Sequence, residues 1–357
     1  MTTTSTQTGP LTGVRVLDLS SVVSGPMAAV VLADQGADVI KIEPPGWGDG
    51  IRNLGTSRNG LSAMFALINR NKRSIAINLK HPEGLAIVLR LVASADVLLQ
   101  NYRPGRMERI GLGYEALRAI NPQLIYASIS GVGEVGPYVE QKVYDYVIQG
   151  LSGVTDAQST SGPPELVRTI IYDKVTALTA AQGITAALFA RERGRGGQHI
   201  KLSMLDAGIY FNWPDLMWNY SFVGDDVRHT GDLADVYAVA PTRDGHVVSH
   251  HLDADLSGAS TDDVVSLLSE HDVAVARANS RADVLRDPQV LASNLLHGFV
   301  HPRGGEMIQP RAAVRFSDDP PRLAPSPELG EHTVEILAEL GITLPEMQKL
   351  AREHAIG

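Results

Sequence analysis

Asp173 stands just ahead of an alanine-rich stretch, residues 174–191, that reads as a long helix. The simplest role for an aspartate in that place is the N-cap, whose side chain accepts from free backbone N–H groups. A carboxylate held at a helix N-terminus is also kept ionised and presented outward, as a nucleophile must be. The two roles are compatible. The chain of 357 residues has no cysteine, so disulfides, thiolate zinc sites and thiol nucleophiles are excluded, and covalent chemistry falls to oxygen or nitrogen.

Basic residues gather in two runs, Asn69-Arg-Asn-Lys72-Arg73 and Arg103-Pro-Gly-Arg106-Met-Glu-Arg109. Each adjoins an expected strand, and in parallel sheets ligands bind at strand ends. Alone, each run reads equally well as a solvated turn. Together with Asn101 and Tyr102, they can hold the phosphates of a nucleotide-like molecule. The net charge of −9 argues against general nucleic-acid binding, yet a local basic cluster can still hold an anionic small molecule.

Two motifs are weaker. Gly131-Val-Gly133-Glu-Val-Gly136 has dinucleotide spacing, but Pro137 and Tyr138 follow at once, where a helix would have to open. A glycine loop crossing a strand end is the better reading. In His250-His251-Leu-Asp253-Ala-Asp255, neighbouring histidines on a strand point to opposite faces, so no metal site is expected.

These residues need a scaffold, and the first half alternates short apolar strands with helices. Strands are expected at 14–19, 38–42, 74–79, 96–99, 124–128 and 199–203, with helices at 26–35, 82–93, 114–120 and 174–191. That alternation predicts an α/β fold, a Rossmann-like parallel sheet covered on both faces. From residue 222 short β-like pieces and a helix at 261–271 predict a smaller α+β domain. The division expected is a flexible lead at 1–10, a large domain at 11–221, a small domain at 222–318, and a linker with C-terminal helices at 319–357. The linker proper is the proline-rich 319–327, and a final amphipathic helix spans 331–340. The lead has no signal-peptide character, and the longest uncharged stretch, 175–190, is too short to span a membrane. With 44% hydrophobic and 20% charged residues, a soluble cytoplasmic protein is expected.

Read in order, the motifs resemble the class III CoA-transferase family, of the carnitine-dehydratase and bile-acid-inducible (CaiB/BaiF) type. They are Leu11-Thr-Gly-Val-Arg-Val-Leu-Asp18, Ser24-Gly-Pro26, Leu32-Ala-Asp-Gln-Gly-Ala-Asp-Val-Ile-Lys-Ile-Glu43, Asn71-Lys-Arg-Ser-Ile75 and Ala95-Asp-Val97. Asn101-Tyr-Arg-Pro-Gly105, Ile125-Tyr-Ala-Ser128, Gly136-Pro137, Arg193-Gly-Arg-Gly-Gly-Gln198 and Ser203-Met-Leu-Asp206 complete the series.

The resemblance implies an enzyme that moves coenzyme A from an acyl-CoA to a free carboxylic acid, with Asp173 in Ile171-Tyr-Asp-Lys-Val175 as nucleophile. It implies no permanently bound cofactor, acyl-CoA as substrate, and an interlocked homodimer. The implied CoA contacts are Val23, Ser24, Ile77, Asn78, Leu79, Lys80, Asn101, Tyr102, Arg103, Arg109 and the stretch from Lys142 through Tyr144 to Asp145; Arg106 joins them from its basic run. Related racemases carry histidine where this chain has Tyr144, and an unperturbed phenol is too weak a base at neutral pH, so transferase is favoured over racemase. A CoA-binding protein without catalysis is the other alternative. Two departures stand out: Pro44-Pro45 replaces a basic position, and residues 246–261 are shorter than in relatives. Glycine N–H groups for the oxyanions are expected in loops of the small domain.

Overall fold

The computed structural model describes residues 9–159, 162–250, 254–317 and 323–357. Residues 1–8 of the expected lead, His251 and Asp253 of the histidine run, and 319–322 of the expected linker lie outside the described residues. The chain forms two compact units. One comprises residues up to Phe211 together with His297–Gly357, and the other is Asn212–Leu296.

The first unit is built on six parallel strands: β1 (Arg15–Asp18), β2 (Asp38–Glu43), β3 (Arg73–Ala76), β4 (Val97–Gln100), β5 (Ile125–Ser130) and β6 (His199–Ser203). Their spatial order is β3-β2-β1-β4-β5-β6, the doubly wound order of nucleotide-binding sheets. Period-two alternation divides the core between the faces. Leu17, Ile40, Leu98 and Tyr126 point to one side; their neighbours Val16, Val39, Val97 and Ile125 point to the other. Each fully buried Val, Leu or Ile in such a core contributes about 1.5–3 kcal/mol. The α/β class, with its Rossmann-like sheet and smaller α+β part, is as expected.

The face bearing Leu17 is covered by α2 (Pro82–Val92) and α3 (Tyr114–Ile120), followed in chain order by α4 (Asp145–Leu151), which lies near the cleft described below. The opposite face is covered by α1 (Ser24–Asp34) and the 20-residue α5 (Ile171–Ala190). Alanines make that layer possible: Ala28, Ala29 and Ala33 of α1 meet Ala177, Ala180 and Ala181 of α5 with almost no side-chain bulk between the backbones. Both helices start at the carboxyl edge of the sheet, so close packing brings their N-termini together. A leucine at Ala28 would push them apart.

After α6 (Met204–Leu216) the second unit contains an antiparallel sheet of β7 (Tyr237–Thr242), β8 (Gly245–His250) and β9 (Val275–Arg277), in the order β9-β8-β7. Its helix α7 (Thr261–Glu270) is started by the Ser260 side chain, which accepts from the Asp263 N–H. The hairpin β10 (Leu296–His301) and β11 (Gly305–Pro310) leads back, and Asn59 Nδ2 donates to the Arg303 carbonyl at 2.9 Å.

Instead of one final helix there are two, α8 (Thr333–Glu339) and α9 (Leu344–Arg352). The second begins with a capping box between Thr343 and Glu346, a signal present in the sequence. The last residues then close onto the sheet edge: Ile356 bridges Ile77, and the Asn78 N–H donates to the Ala355 carbonyl at 2.9 Å.

Candidate active site

The strand order reverses between β1 and β4, and the crevice beyond their carboxyl ends is where such sheets bind ligands. Here the β1–α1 turn and the segment after β4 form that crevice. Asn101 braces them, accepting from the Ser21 N–H at 2.9 Å and donating to the Ser21 carbonyl at 2.8 Å. A cleft of about 250 Å³ opens beside this brace, lined by Val23, Ser24, Asn101, Tyr102, Arg103, Lys142, Tyr144 and Asp173. The glycine loop after β5 forms another wall. No helix opens there; the chain runs through Gly133 and Gly136 in left-handed conformations to α4, so the dinucleotide reading falls away. Gly131 is required by close approach, since a Cβ there would lie 2.6 Å from Val143 Cβ.

Asp173 is in the first turn of α5, not at its cap as expected, because the helix begins at Ile171 with Ile170 as N-cap. The capping is done from 28 residues away: Asp145 Oδ1 accepts from the Tyr172 N–H at 2.7 Å and the Asp173 N–H at 3.0 Å. Asp145 is itself held by Gln149 one turn later, whose Nε2 donates to Oδ2 at 2.7 Å and to the Thr169 carbonyl at 3.0 Å. Relieved of its own helix, the Asp173 carboxylate faces the cleft it shares with Ser24, the first residue of α1, whose backbone N–H favours its ionised form. That donor has no partner within α1, since the first N–H groups of a helix have no carbonyl a turn earlier to meet. Burial and the neighbouring Asp145 charge push the Asp173 carboxyl up to about 6, against the pull of the Ser24 N–H.

Other expected site residues divide by position. Tyr144 is half-exposed, stacks on Tyr146, and has the Lys142 ammonium 5.6 Å from its ring centroid. Lys142 therefore leans on the phenol. Arg103, Arg106 and Arg109 are exposed at the carboxyl end of β4 and form no ion pair among the described residues; Arg106 lies over the Tyr102 ring at 5.0 Å. Burial raises the Tyr102 phenol pKa.

Residues 77–80 follow β3 at the far edge of the sheet and do not line this cleft. The Ile77 side chain is buried in the core, Leu79 packs against it, Asn78 Nδ2 donates to the His354 carbonyl at 3.1 Å, and Lys80 follows on the surface.

The reading of the other basic run as a phosphate site is corrected. Residues 69–73 lead into β3 at its amino end, and their charges are already taken. Arg70 meets Asp34 at 2.6 Å, Lys72 meets Asp18 at 2.9 Å and Arg73 meets Asp38 at 2.6 Å. His250, at the end of β8, rests its ring against Tyr237.

Gln149 and Asp49, another buried acid near the crevice, were not anticipated. The i,i+4 spacing of Asp145 and Gln149 is the one sequence signal for the former.

A sequence profile for CoA-transferase family III matches residues 11–252 and 246–333. The succinate–glutarate CoA-transferase of Agrobacterium fabrum is 33% identical over 93% of this chain and 96% of its own length. The acetyl-CoA:oxalate CoA-transferase of Acetobacter aceti is 44% identical, over 59% of this chain and 54% of its own. Among solved structures, a CaiB/BaiF family protein from Brucella suis superposes with a TM-score of 0.82 at 32% identity, covering 94% of this chain and all of that one. On its sequence, its fold and these relatives, the chain belongs to CoA-transferase family III.

Proposed function

We propose that this protein transfers coenzyme A from an acyl-CoA to a free carboxylic acid through a covalent thioester on Asp173. The observation that carries this reading is the state of Asp173: a half-buried carboxylate facing a cleft, with one backbone donor and a pKa pushed up to about 6. Such a group is still largely ionised above neutrality, yet more basic and less solvated than an ordinary carboxylate, both of which favour nucleophilic attack.

In the first step an Asp173 oxygen attacks the thioester carbonyl carbon, the carbon–sulfur bond breaks, and CoA leaves as thiolate. The thiolate then attacks the Asp173 carboxyl carbon and expels the donor acid, which carries away one former Asp173 oxygen. The acceptor carboxylate attacks the resulting aspartyl thioester and expels CoA thiolate, giving a second mixed anhydride; the thiolate finally attacks the acceptor carbonyl, which releases the new acyl-CoA and returns Asp173 as a carboxylate. Arg103, Arg106 and Arg109 hold the CoA phosphates, and Asn101 with Tyr102 guides the pantetheine arm. Keeping the thiolate bound makes its return unimolecular, an advantage on the order of several kcal/mol. The named relatives act on oxalate, succinate and glutarate, which makes a short dicarboxylic acid the first acceptor to try.

The enzyme works as a cytoplasmic homodimer in this reading. Exposed Leu178, Phe189 and Tyr210 support a second copy as cover, which light scattering would check. The direct test of the chemistry is to mix the protein with acyl-CoA and trap Asp173 with hydroxylamine or borohydride. A modified Asp173 peptide is expected; its absence, with turnover intact, overturns the proposal. Rapid deuterium uptake at the α-carbon of a 2-methylacyl-CoA without acceptor would favour the racemase instead.

A further inference from the structure

The turn that delivers the Ser24 N–H to Asp173 contains a residue in an unfavourable conformation. Val22 has φ of 68°, in the left-handed region that a β-branched side chain avoids. A strained residue persists only where its surroundings over-determine it, and those surroundings are visible. The Val22 N–H donates to both carboxylate oxygens of Asp49, at 3.1 and 3.3 Å. Asp49 is 4% exposed and ion-paired with the fully buried Lys41 at 3.0 Å; Lys41 Nζ also donates to the Ser20 carbonyl at 3.1 Å. From behind, the Asp49 N–H donates to Glu43 Oε1 at 3.0 Å, and Arg52 grips both oxygens of Glu43 at 2.8 and 2.7 Å. A chain of buried charge thus ends on two backbone N–H groups, that of Ile51, which Asp49 Oδ1 caps at 3.2 Å, and that of Val22, two residues before Ser24.

Asp49 does not line the Asp173 cleft, and nothing in the transfer steps uses it. Its nearest consequence is geometric. Rotation about the Val22 backbone swings everything that follows, including the start of α1, whose N-cap has no side chain able to hold it.

We propose that Asp49 is a positioning residue whose carboxylate holds Val22 in the left-handed conformation and thereby aims the Ser24 N–H at the Asp173 carboxylate. This rests on the reading of Asp173 as nucleophile. When the thiolate attacks the Asp173 carboxyl carbon, negative charge collects on the oxygen that the Ser24 N–H meets. A fixed donor there acts on the transition state, and losing such a donor typically costs on the order of 10²–10³-fold in kcat. The same donor favours the ionised form before reaction. The charged and titratable groups facing Asp173 are Asp145 from α4, Lys142 and Tyr144 from the segment before it, and Tyr102 and Arg103 from the segment after β4.

Glycine adopts positive φ without penalty, and that supplies the test. Asp49→Ala, Val22→Gly and the double variant are compared with wild type in a thermodynamic cycle. In the Val22 background, Asp49→Ala should lower kcat on the order of 10²-fold and move the acid limb of the kcat profile to higher pH. KM for acyl-CoA should stay within about threefold. In the Val22→Gly background the same substitution should cost at least tenfold less, because the turn no longer needs to be held. A buried charge with a merely structural role predicts equal losses in both backgrounds and an unmoved acid limb; either result overturns the proposal. Should Asp49→Ala fail to fold, Asp49→Asn, which keeps an acceptor for the Val22 N–H, enters the same cycle with a smaller expected loss and the same criterion. Trapping on Asp173 in wild type is run alongside: without an adduct it is the nucleophile assignment that fails, whatever the cycle gives.

Discussion

Asp145 and Asp173 lie at the starts of two helices that meet beside one cleft, and their surroundings make them different chemical objects. Asp145 is 4% exposed, and its carboxylate accepts from the Tyr172 N–H, the Asp173 N–H and the Gln149 amide. Most of its lone-pair sites are filled. Asp173 has the Ser24 N–H and otherwise faces the cleft. Of two neighbouring acids, the one saturated with donors serves as scaffold and the one left hungry is available for reaction.

Removing the hungry member gives the largest effect. Asp173→Asn should abolish CoA transfer, a loss on the order of 10⁴-fold or more, while CoA binding persists in a titration. The same variant should be more stable than wild type. The carboxyl pKa is about 6 in the folded state and 3.8 ordinarily. The native state therefore binds that proton more tightly, and wild type loses stability as pH rises from about 4 through 6. Asparagine escapes this loss, so its advantage should be absent near pH 3, grow across that window and level off at about 1–3 kcal/mol above it. Thermal denaturation at several pH values measures it.

Removing the saturated member should cost less activity but more structure. Asp145→Ala leaves two backbone N–H groups at the α5 start without their acceptor, a penalty of about 1–3 kcal/mol in denaturant unfolding. A kcat deficit accompanies it, because Asp173 is no longer held in place.

The third experiment tests how the two acids communicate. In wild type, transfer should fall as pH drops through about 6, where Asp173 takes up a proton. Asp145→Asn removes the neighbouring negative charge that helps raise that value, so its acid limb should lie at lower pH than in wild type. A limb that stays in place would mean that burial alone sets it.

The smallest effects belong to the proposed phosphate contacts. Arg103→Ala, Arg106→Ala or Arg109→Ala should each raise KM for every acyl-CoA alike, by roughly 5–150-fold for about 1–3 kcal/mol. Added salt should mimic the change, since exposed charges are screened over about 8 Å at physiological ionic strength.

Much of this was readable beforehand, and the gaps have physical causes. The parallel sheet was legible because each strand is a short apolar run, from residues 15–18 to 199–203, closed by turn residues. Asp173 was legible as a carboxylate at the start of a long helix, but the residue that caps that helix was not: Asp145 is 28 residues away. The 69–73 run misled for a related reason. Its carboxylate partners Asp34, Asp18 and Asp38 lie 36, 54 and 35 residues upstream, beyond any local pattern. Arg103, Arg106 and Arg109 follow their strand instead of preceding it, which places them at the ligand edge. Strand direction separates two runs that composition cannot.

The closure of the chain onto β3 has a consequence in time. Arg73, in that edge strand, pairs with Glu335 across 262 residues, and the Ala76 carbonyl waits for the Gly357 N–H. At synthesis rates of about 5–20 residues per second, the edge strand spends roughly 13–50 s without its cover while the second unit and the returning hairpin are made. During that interval Ile75 and Ile77 lack the partners that bury them in the finished fold. The first unit, begun first, is completed last.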